Sequence, residues 1–360
     1  MRPSSSSGSV PTGTSESSET GDDYSRYEAG PFMLSAGGSL ANAVLAYQCH
    51  GSLSPRRDNA ILFPTWFSST HRQNAWLIGP GNALDTDRYF VICVNLLGNG
   101  LSSSPSNTPA PADGPGFPRV TVLDNVRLQQ RLLAEHLGIE RLALVIGRSM
   151  GAQTAFQWAA SYPTMIERMF ALCGSAKTTA HNFVFLESIK AALQLDAAWA
   201  GGRYEQPPVA GIRAVGRAYA AWAMSPDFYR QGLHLTGGIR SIEDYLTRNW
   251  DRNFQRCDAN DLLAMLDTWQ QADAGSDPRF DGDWLAALRA IRCPAVVMPS
   301  RTDMYFPPQD SAEAVSRMPR ARLEVIESVW GHRAGSPNSD PRDIAVVRTA
   351  IAGLLGSAPT

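Results

Sequence analysis

The 360-residue sequence has little that would mark it for nucleic acid, membrane or metal. Its formal net charge is −2, so there is no basic footprint for a polyanion or an anionic membrane. No segment approaches the roughly twenty apolar residues that a membrane span needs, and the N-terminal stretch has no apolar leader core. C-x-x-C and comparable ligand spacings are missing, and so is any internal repeat. The cysteines Cys49, Cys93, Cys173, Cys257 and Cys293 are odd in number and widely spaced. Four lie in or beside apolar, strand-like runs, which is the pattern of buried free thiols in a reducing compartment. These absences predict a soluble, cytoplasmic protein whose partner is a small molecule. No metal or redox cofactor is implied.

Residues 1–26 are rich in Ser, Thr, Gly, Asp and Glu and hold almost nothing apolar to offset ordering entropy, so they are expected to be a disordered tail. Beyond them the pattern alternates. Two short strands flank Gly37-Gly38, and NAILFPTW (59–66) and YFVICVNLL (89–97) read as buried strands. Helical spacing then runs through Val122, Val126, Leu128, Leu132, Leu133 and Leu137, with Gly138 as the stop. The strand LALVI (142–146), a helix from Ala152 to Tyr162 and a strand from Arg168 to Cys173 follow. Strand, helix and strand in this rhythm predict parallel βαβ units in a mostly parallel, doubly wound α/β sheet.

From residue 175 to 288 the strand signals stop, and Trp199, Trp222, Trp250, Trp269 and Trp284 stand among alanines and leucines. This stretch is expected to be an inserted helical cap, its tryptophans mostly cap core. The alternation resumes over 289–360 with the strand PAVVMP (294–299), a helix over 309–318, a strand over 322–327 and a final helix over 340–355. The expected organisation is therefore a core of 27–174 and 289–360 interrupted by the cap.

Gly147-Arg148-Ser149-Met150-Gly151 matches G-x-S-x-G, a pattern that becomes specific where a buried strand meets a helix, as here. The serine must occupy a strained turn there, and the glycines relieve crowding around it. Its hydroxyl then stands at the C-terminal edge of the sheet, with the Met150 N–H at a helix N-terminus as an oxyanion donor. A serine hydroxyl attacks only if a base takes its proton. Enzymes with this turn carry serine, acid and histidine in that order along the chain. Of the six histidines only His332 follows the last strand. Asp303, in the loop after PAVVMP, is the candidate acid, while its rival Asp310 follows two prolines and should cap or enter the next helix. The loop PTWFSST (64–70) supplies the second candidate oxyanion donor, the Phe67 N–H. Arg148 beside the nucleophile pairs either with a substrate carboxylate or, more commonly for such a residue, with structural partners.

From about Asn59 onward the chain resembles the homoserine transacetylase family of α/β-hydrolases. The likeness lies in LIGPGNALDTDRYFVICVNLLGNG, in VTVLDNVRLQQRLLAEHLGIERLALVIGRSMGAQTAFQWAASYP, and in RCDANDLLAML, DMYFPP and the Gly331-His332 pair. The resemblance implies an α/β-hydrolase fold with Ser149, Asp303 and His332 as nucleophile, acid and base. It also implies Phe67 and Met150 as oxyanion donors, and a homodimer through cap helices. Arg217 stands where the family binds a carboxylate, and Trp66 joins Arg148 and Arg217 as a candidate substrate contact. Two positions depart from homoserine-acylating members: Arg333 replaces an aspartate after the histidine, and Met224 stands where a tyrosine is expected. PTWFSST, CGSAKT-x-x-HNFVFLE and LDTWQQ look more like the family's esterase branch, which hydrolyses small esters such as alkyl acetates. Hydrolysis of small acetyl-type esters is the leading expectation. The alternative is an O-acyltransferase that moves an acyl group from acyl-CoA to a metabolite hydroxyl.

Overall fold

Alternation of side chains along short apolar strands sets the layers of this molecule. The computed structural model describes residues 23–356. Its strands are β1 (Ser25–Met33), β2 (Ser39–His50), β3 (Ala60–Leu62), β4 (Phe90–Val94), β5 (Leu144–Arg148), β6 (Met169–Leu172), β7 (Ala295–Met298) and β8 (Ala321–Leu323). They form one 8-stranded sheet in the order β1-β2-β4-β3-β5-β6-β7-β8. β1 and β2 pair antiparallel at one edge, β2 joins β4 antiparallel, and every pair from β4 to β8 is parallel. Val145, Met169, Ala171, Ala295 and Val297 face one layer, while Leu144, Ile146, Phe170, Leu172, Val296 and Met298 face the other. Burial on both faces explains why these strands read as unbroken apolar runs.

The first layer holds α1 (Val122–Arg131) and α2 (Met150–Ser161), whose Val126, Leu128, Phe156 and Trp158 pack against the sheet. α1 starts at a capping box, in which Thr121 Oγ1 accepts from Asp124 N–H and Asp124 Oδ2 accepts from Thr121 N–H. Between β6 and β7 the chain runs through α3 (Ala180–Gln194), α4 (Val209–Ala223), the short α5 (Pro226–Arg230), α6 (Ile242–Leu246) and α7 (Arg252–Phe254), then α8 (Ala259–Gln270). These cover the sheet edge with a core of their own, including Phe185, Leu186, Tyr219, Phe254 and Trp269. Among the described residues no helix is long and apolar enough to cross a membrane.

Three expectations about boundaries need correction. Asp23 is ion-paired with Arg72 and β1 begins at Ser25, so the folded body starts before residue 26; residues 1–22 lie outside the described ones. The helical insertion was expected to run to residue 288, yet α9 (Trp284–Ala290) buries Ala287 and Leu288 in the same layer as α2. Trp284 packs there too, whereas Trp199, Trp222, Trp250 and Trp269 pack with the cap. The strands themselves are shorter than the apolar runs that announced them. β3 ends at Leu62, yet the Phe63 and Thr65 N–H groups still donate to the Ile92 and Val94 carbonyls; Phe63 packs in the second layer of the sheet and Phe67 against the cap. The last elements, α10 (Pro308–Arg317) and α11 (Pro341–Gly356), flank β8.

Candidate active site

β5 ends at Arg148 and α2 begins at Met150, which leaves Ser149 alone in the strand-to-helix turn. Its backbone is forced to φ 55°, ψ −127°, a conformation that costs an L-residue strain and so persists only where the surroundings impose it. The glycines explain how the turn fits. A Cβ on Gly147 would lie 1.9 Å from the Gly151 carbonyl oxygen, and one on Gly151 would lie 2.8 and 2.9 Å from the Thr65 and Pro64 carbonyl oxygens. Gly151 therefore lets the start of α2 touch the loop after β3, which sets Trp66 and Phe67 beside the nucleophile turn.

The acid and the histidine arrive from the ends of β7 and β8. Asp303 is buried, and its Oδ1 accepts from the Tyr305 and Phe306 N–H groups at 2.8 and 3.1 Å. Two backbone donors fix the carboxylate and leave Oδ2 for His332 Nδ1, 2.7 Å away. The other ring nitrogen, Nε2, stands 2.9 Å from Ser149 Oγ. Since Nδ1 donates to the carboxylate, Nε2 of the neutral ring is free to accept the serine proton. Burial pushes the His332 pKa down from its ordinary 6.5; Asp303 opposes this, and the Arg148 and Arg333 cations add to it. The ring is thus held toward its neutral form, the form that accepts a proton. Asp310, the rival acid, lies in the first turn of α10 as a half-buried side chain whose pKa burial raises.

The cap braces both loops. Tyr305 Oη donates to the Tyr219 carbonyl of α4 at 2.8 Å. Ser225, just past α4, donates to the Val329 carbonyl at 2.5 Å, and Gly331 packs so closely on Ala223 that a Cβ would meet its carbonyl oxygen at 2.5 Å. The Phe67 ring is buried against Tyr219, Phe254 and Trp269 at centroid distances of 5.7, 6.0 and 5.9 Å. That ring anchors the loop carrying the Phe67 N–H. Among the described residues neither that N–H nor that of Met150 donates to a protein acceptor.

A cavity of about 650 Å³ opens onto this arrangement, with Trp66, Phe67, Arg148 and His332 in its wall. Arg148 is buried, donates from Nη2 to the His332 carbonyl at 2.8 Å, and lies 5.3 Å from the centre of the Trp66 ring. Arg217 is not brought to the wall: it is held by Asp251, at 2.9 Å, and by Glu243 on the outer side of α4. Its charge already has two partners, so the structure does not bring it together with Arg148 and Trp66. Sequence reasoning did not assign Tyr219, Trp250 and Arg333 to the wall, nor Arg248, Arg252 and Arg256 to the rim. The last three recur every fourth residue, a one-faced helical spacing that was readable in the sequence.

Known proteins similar to this chain identify its family. A family model described as alpha/beta hydrolase fold matches residues 61–333. The chain is 36% identical over 331 residues to an ethyl acetate hydrolase from Pseudomonas veronii, covering 91% of this chain and 94% of that one. It is 33% identical over 319 residues to a homoserine O-acetyltransferase from Trichormus variabilis, covering 84% and 87%. The solved structure of an acetylester hydrolase from Corynebacterium glutamicum superposes with a TM-score of 0.89 at 35% identity, over 93% of this chain and 96% of that one. By its strained serine turn, its mostly parallel sheet and these relatives, the chain belongs to the alpha/beta hydrolase family, in the group that joins acetyl esterases to homoserine O-acetyltransferases.

Proposed function

We propose that this protein hydrolyses small carboxylic esters of the acetyl type through an acyl-Ser149 intermediate. The observation that carries the reading is the imidazole of His332 bridging Ser149 Oγ at 2.9 Å and Asp303 at 2.7 Å. Ser149 Oγ attacks the ester carbonyl carbon while His332 Nε2 takes its proton, and Asp303 stabilises the resulting imidazolium. The Phe67 and Met150 N–H groups hold the oxyanion, each lowering the barrier by about 3 kcal/mol. The alkoxide leaves as the alcohol with the proton from His332. Water, deprotonated by the same nitrogen, then attacks the acyl group, releasing the carboxylic acid and restoring the serine. One ester and one water become one acid and one alcohol.

The relatives support water as acceptor, since an ethyl acetate hydrolase and an acetylester hydrolase align over nearly the whole chain. Acyl transfer from acyl-CoA to a hydroxyl is the second reading, favoured by the homoserine O-acetyltransferase likeness. Arg217, held by Asp251 and Glu243, argues against a homoserine site of the usual kind. The test is p-nitrophenyl acetate turnover by wild type and Ser149→Ala, with and without acetyl-CoA and homoserine. Steady acetate release that the variant abolishes is the expected result; capture of the acetyl group by homoserine with consumption of acetyl-CoA would make the protein a transferase.

The protein is further proposed to be a cytoplasmic homodimer that meets through its cap. Val184, Leu195 and Val209, exposed at 66, 84 and 48% around α3 and α4, support that face. Elution as a monomer at micromolar concentration in gel filtration would remove the dimer.

A further inference from the structure

Two arginines flank the reacting groups in sequence, Arg148 before Ser149 and Arg333 after His332, and both line the cavity. Arg148 is 6% exposed, and its Nε has no hydrogen-bond partner. Among the described residues its one hydrogen bond goes to the His332 carbonyl, a neutral acceptor. Arg333 is partly buried, with its guanidinium 5.9 Å over the Trp250 ring. Among the described residues neither arginine has a carboxylate within ion-pair distance. Arg72 and Arg248, by contrast, have their own acids in Asp23 and Asp244. Asp303 is the nearby anion, and its two oxygens are committed to His332 and to the Tyr305 and Phe306 N–H groups.

The electrostatics agree with the contacts. Burial lowers the pKa of both guanidinium groups, and the Arg148 charge lowers that of Arg333 further, so the two cations repel each other. At the rim stand Arg72, Arg248, Arg252 and Arg256, and among the described residues no Asp or Glu lines the cavity. In a chain of net charge −2 this concentration of one sign does not follow from composition. A desolvated guanidinium without a counter-ion is costly unless a ligand supplies the missing anion, and a guanidinium's planar fork matches a carboxylate.

We propose that the pocket is built for esters carrying a free carboxylate, which Arg148 and Arg333 grip while the ester carbonyl lies at Ser149. The inference rests on the hydrolase reading and narrows its substrate class. The carboxylate belongs either to the acyl part or to the alcohol part, and matched substrates separate the two. A purely structural role for Arg148, holding the His332 loop through its carbonyl, would change the turnover of charged and neutral esters alike.

The experiment measures kcat/KM of the full chain for monomethyl succinate, charged on the acyl side, and O-acetylglycolate, charged on the alcohol side. Each is paired with its neutral methyl ester, for wild type, Arg148→Met and Arg333→Met. The expected result is a preference for the charged member of one pair by about tenfold or more, falling about tenfold in each variant, as for loss of a charged hydrogen bond. Taking the charged-to-neutral ratio cancels any loss of folded enzyme. A wild type that prefers both neutral esters, or a preference that neither variant moves, overturns the proposal. Ser149-dependent hydrolysis of neutral esters would then survive, so the two failures are distinct. If no ester is turned over, calorimetric titration of Ser149→Ala with the two carboxylates decides: binding that both arginine substitutions weaken supports the proposal, and absence of binding overturns it.

Discussion

Asp261→Asn should make the protein more stable in mildly alkaline solution and less sensitive to pH. Asp261 lies on α8 where the cap meets the loop after β4, accepting from Ser106 N–H at 2.9 Å and from Ser106 Oγ at 2.6 Å. The side chain is 5% exposed, and burial raises its pKa from 3.8 to about 7, with Ser106 opposing and Asp258 adding to the rise. The sign follows from proton counting. Between 3.8 and about 7 the folded chain keeps a proton that the unfolded chain has released, so this group's contribution to stability falls as pH rises through that window. From pH 5 to pH 8 the folded carboxyl crosses about two units before it is fully ionised, at about 1.36 kcal/mol each. The wild type should therefore lose roughly 2 to 3 kcal/mol that asparagine does not lose. Asparagine keeps an acceptor for the Ser106 N–H and offers a donor to its hydroxyl, so the joint survives. Urea midpoints of both proteins at pH 5 and 8 measure the difference, and other titrating groups cancel in the comparison. If the stability gap between the two proteins is the same at both pH values, the reasoning is refuted.

The acid limb of kcat/KM for p-nitrophenyl acetate should lie below pH 6.5, because burial and the two neighbouring arginines hold His332 neutral. Arg148→Met should move that limb to higher pH by removing a cation that favours the neutral ring, and a limb that stays or moves down would contradict the electrostatic account. Gly151→Ala should cost about a hundredfold in kcat/KM, since its Cβ would force the Pro64–Phe67 loop away from Ser149. The comparison is with Gly353→Ala, where a Cβ meets nothing within 4 Å; equal activity of the two variants would show that the close approach is not needed.

The serine, aspartate and histidine that the fold brings together were legible because their constraints are local. G-x-S-x-G at a strand end allows little but a turn with the serine at its apex, and the topology then orders acid before histidine, leaving one histidine of six. The sheet was legible for a related reason: strands buried on both faces are short, apolar and separated by helical periodicity. What escaped depends on contacts distant in sequence. An amphipathic helix shows that it has a buried face but not which surface covers it, so α9 was assigned to the cap although Ala287 and Leu288 lie in the core beside α2. Arg217 looked available for a substrate because its partners, Asp251 and Glu243, come from two later turns of the cap. Arg148 and Arg333 pose the opposite problem. Sequence places them beside Ser149 and His332, but only the fold shows that among the described residues no carboxylate reaches them. A charge is defined functionally by what is missing from its surroundings, and a linear pattern records only what is present. The strongest statement about the substrate of this enzyme therefore comes from two unneutralised cations, while the strongest statement about its chemistry comes from a motif of five residues.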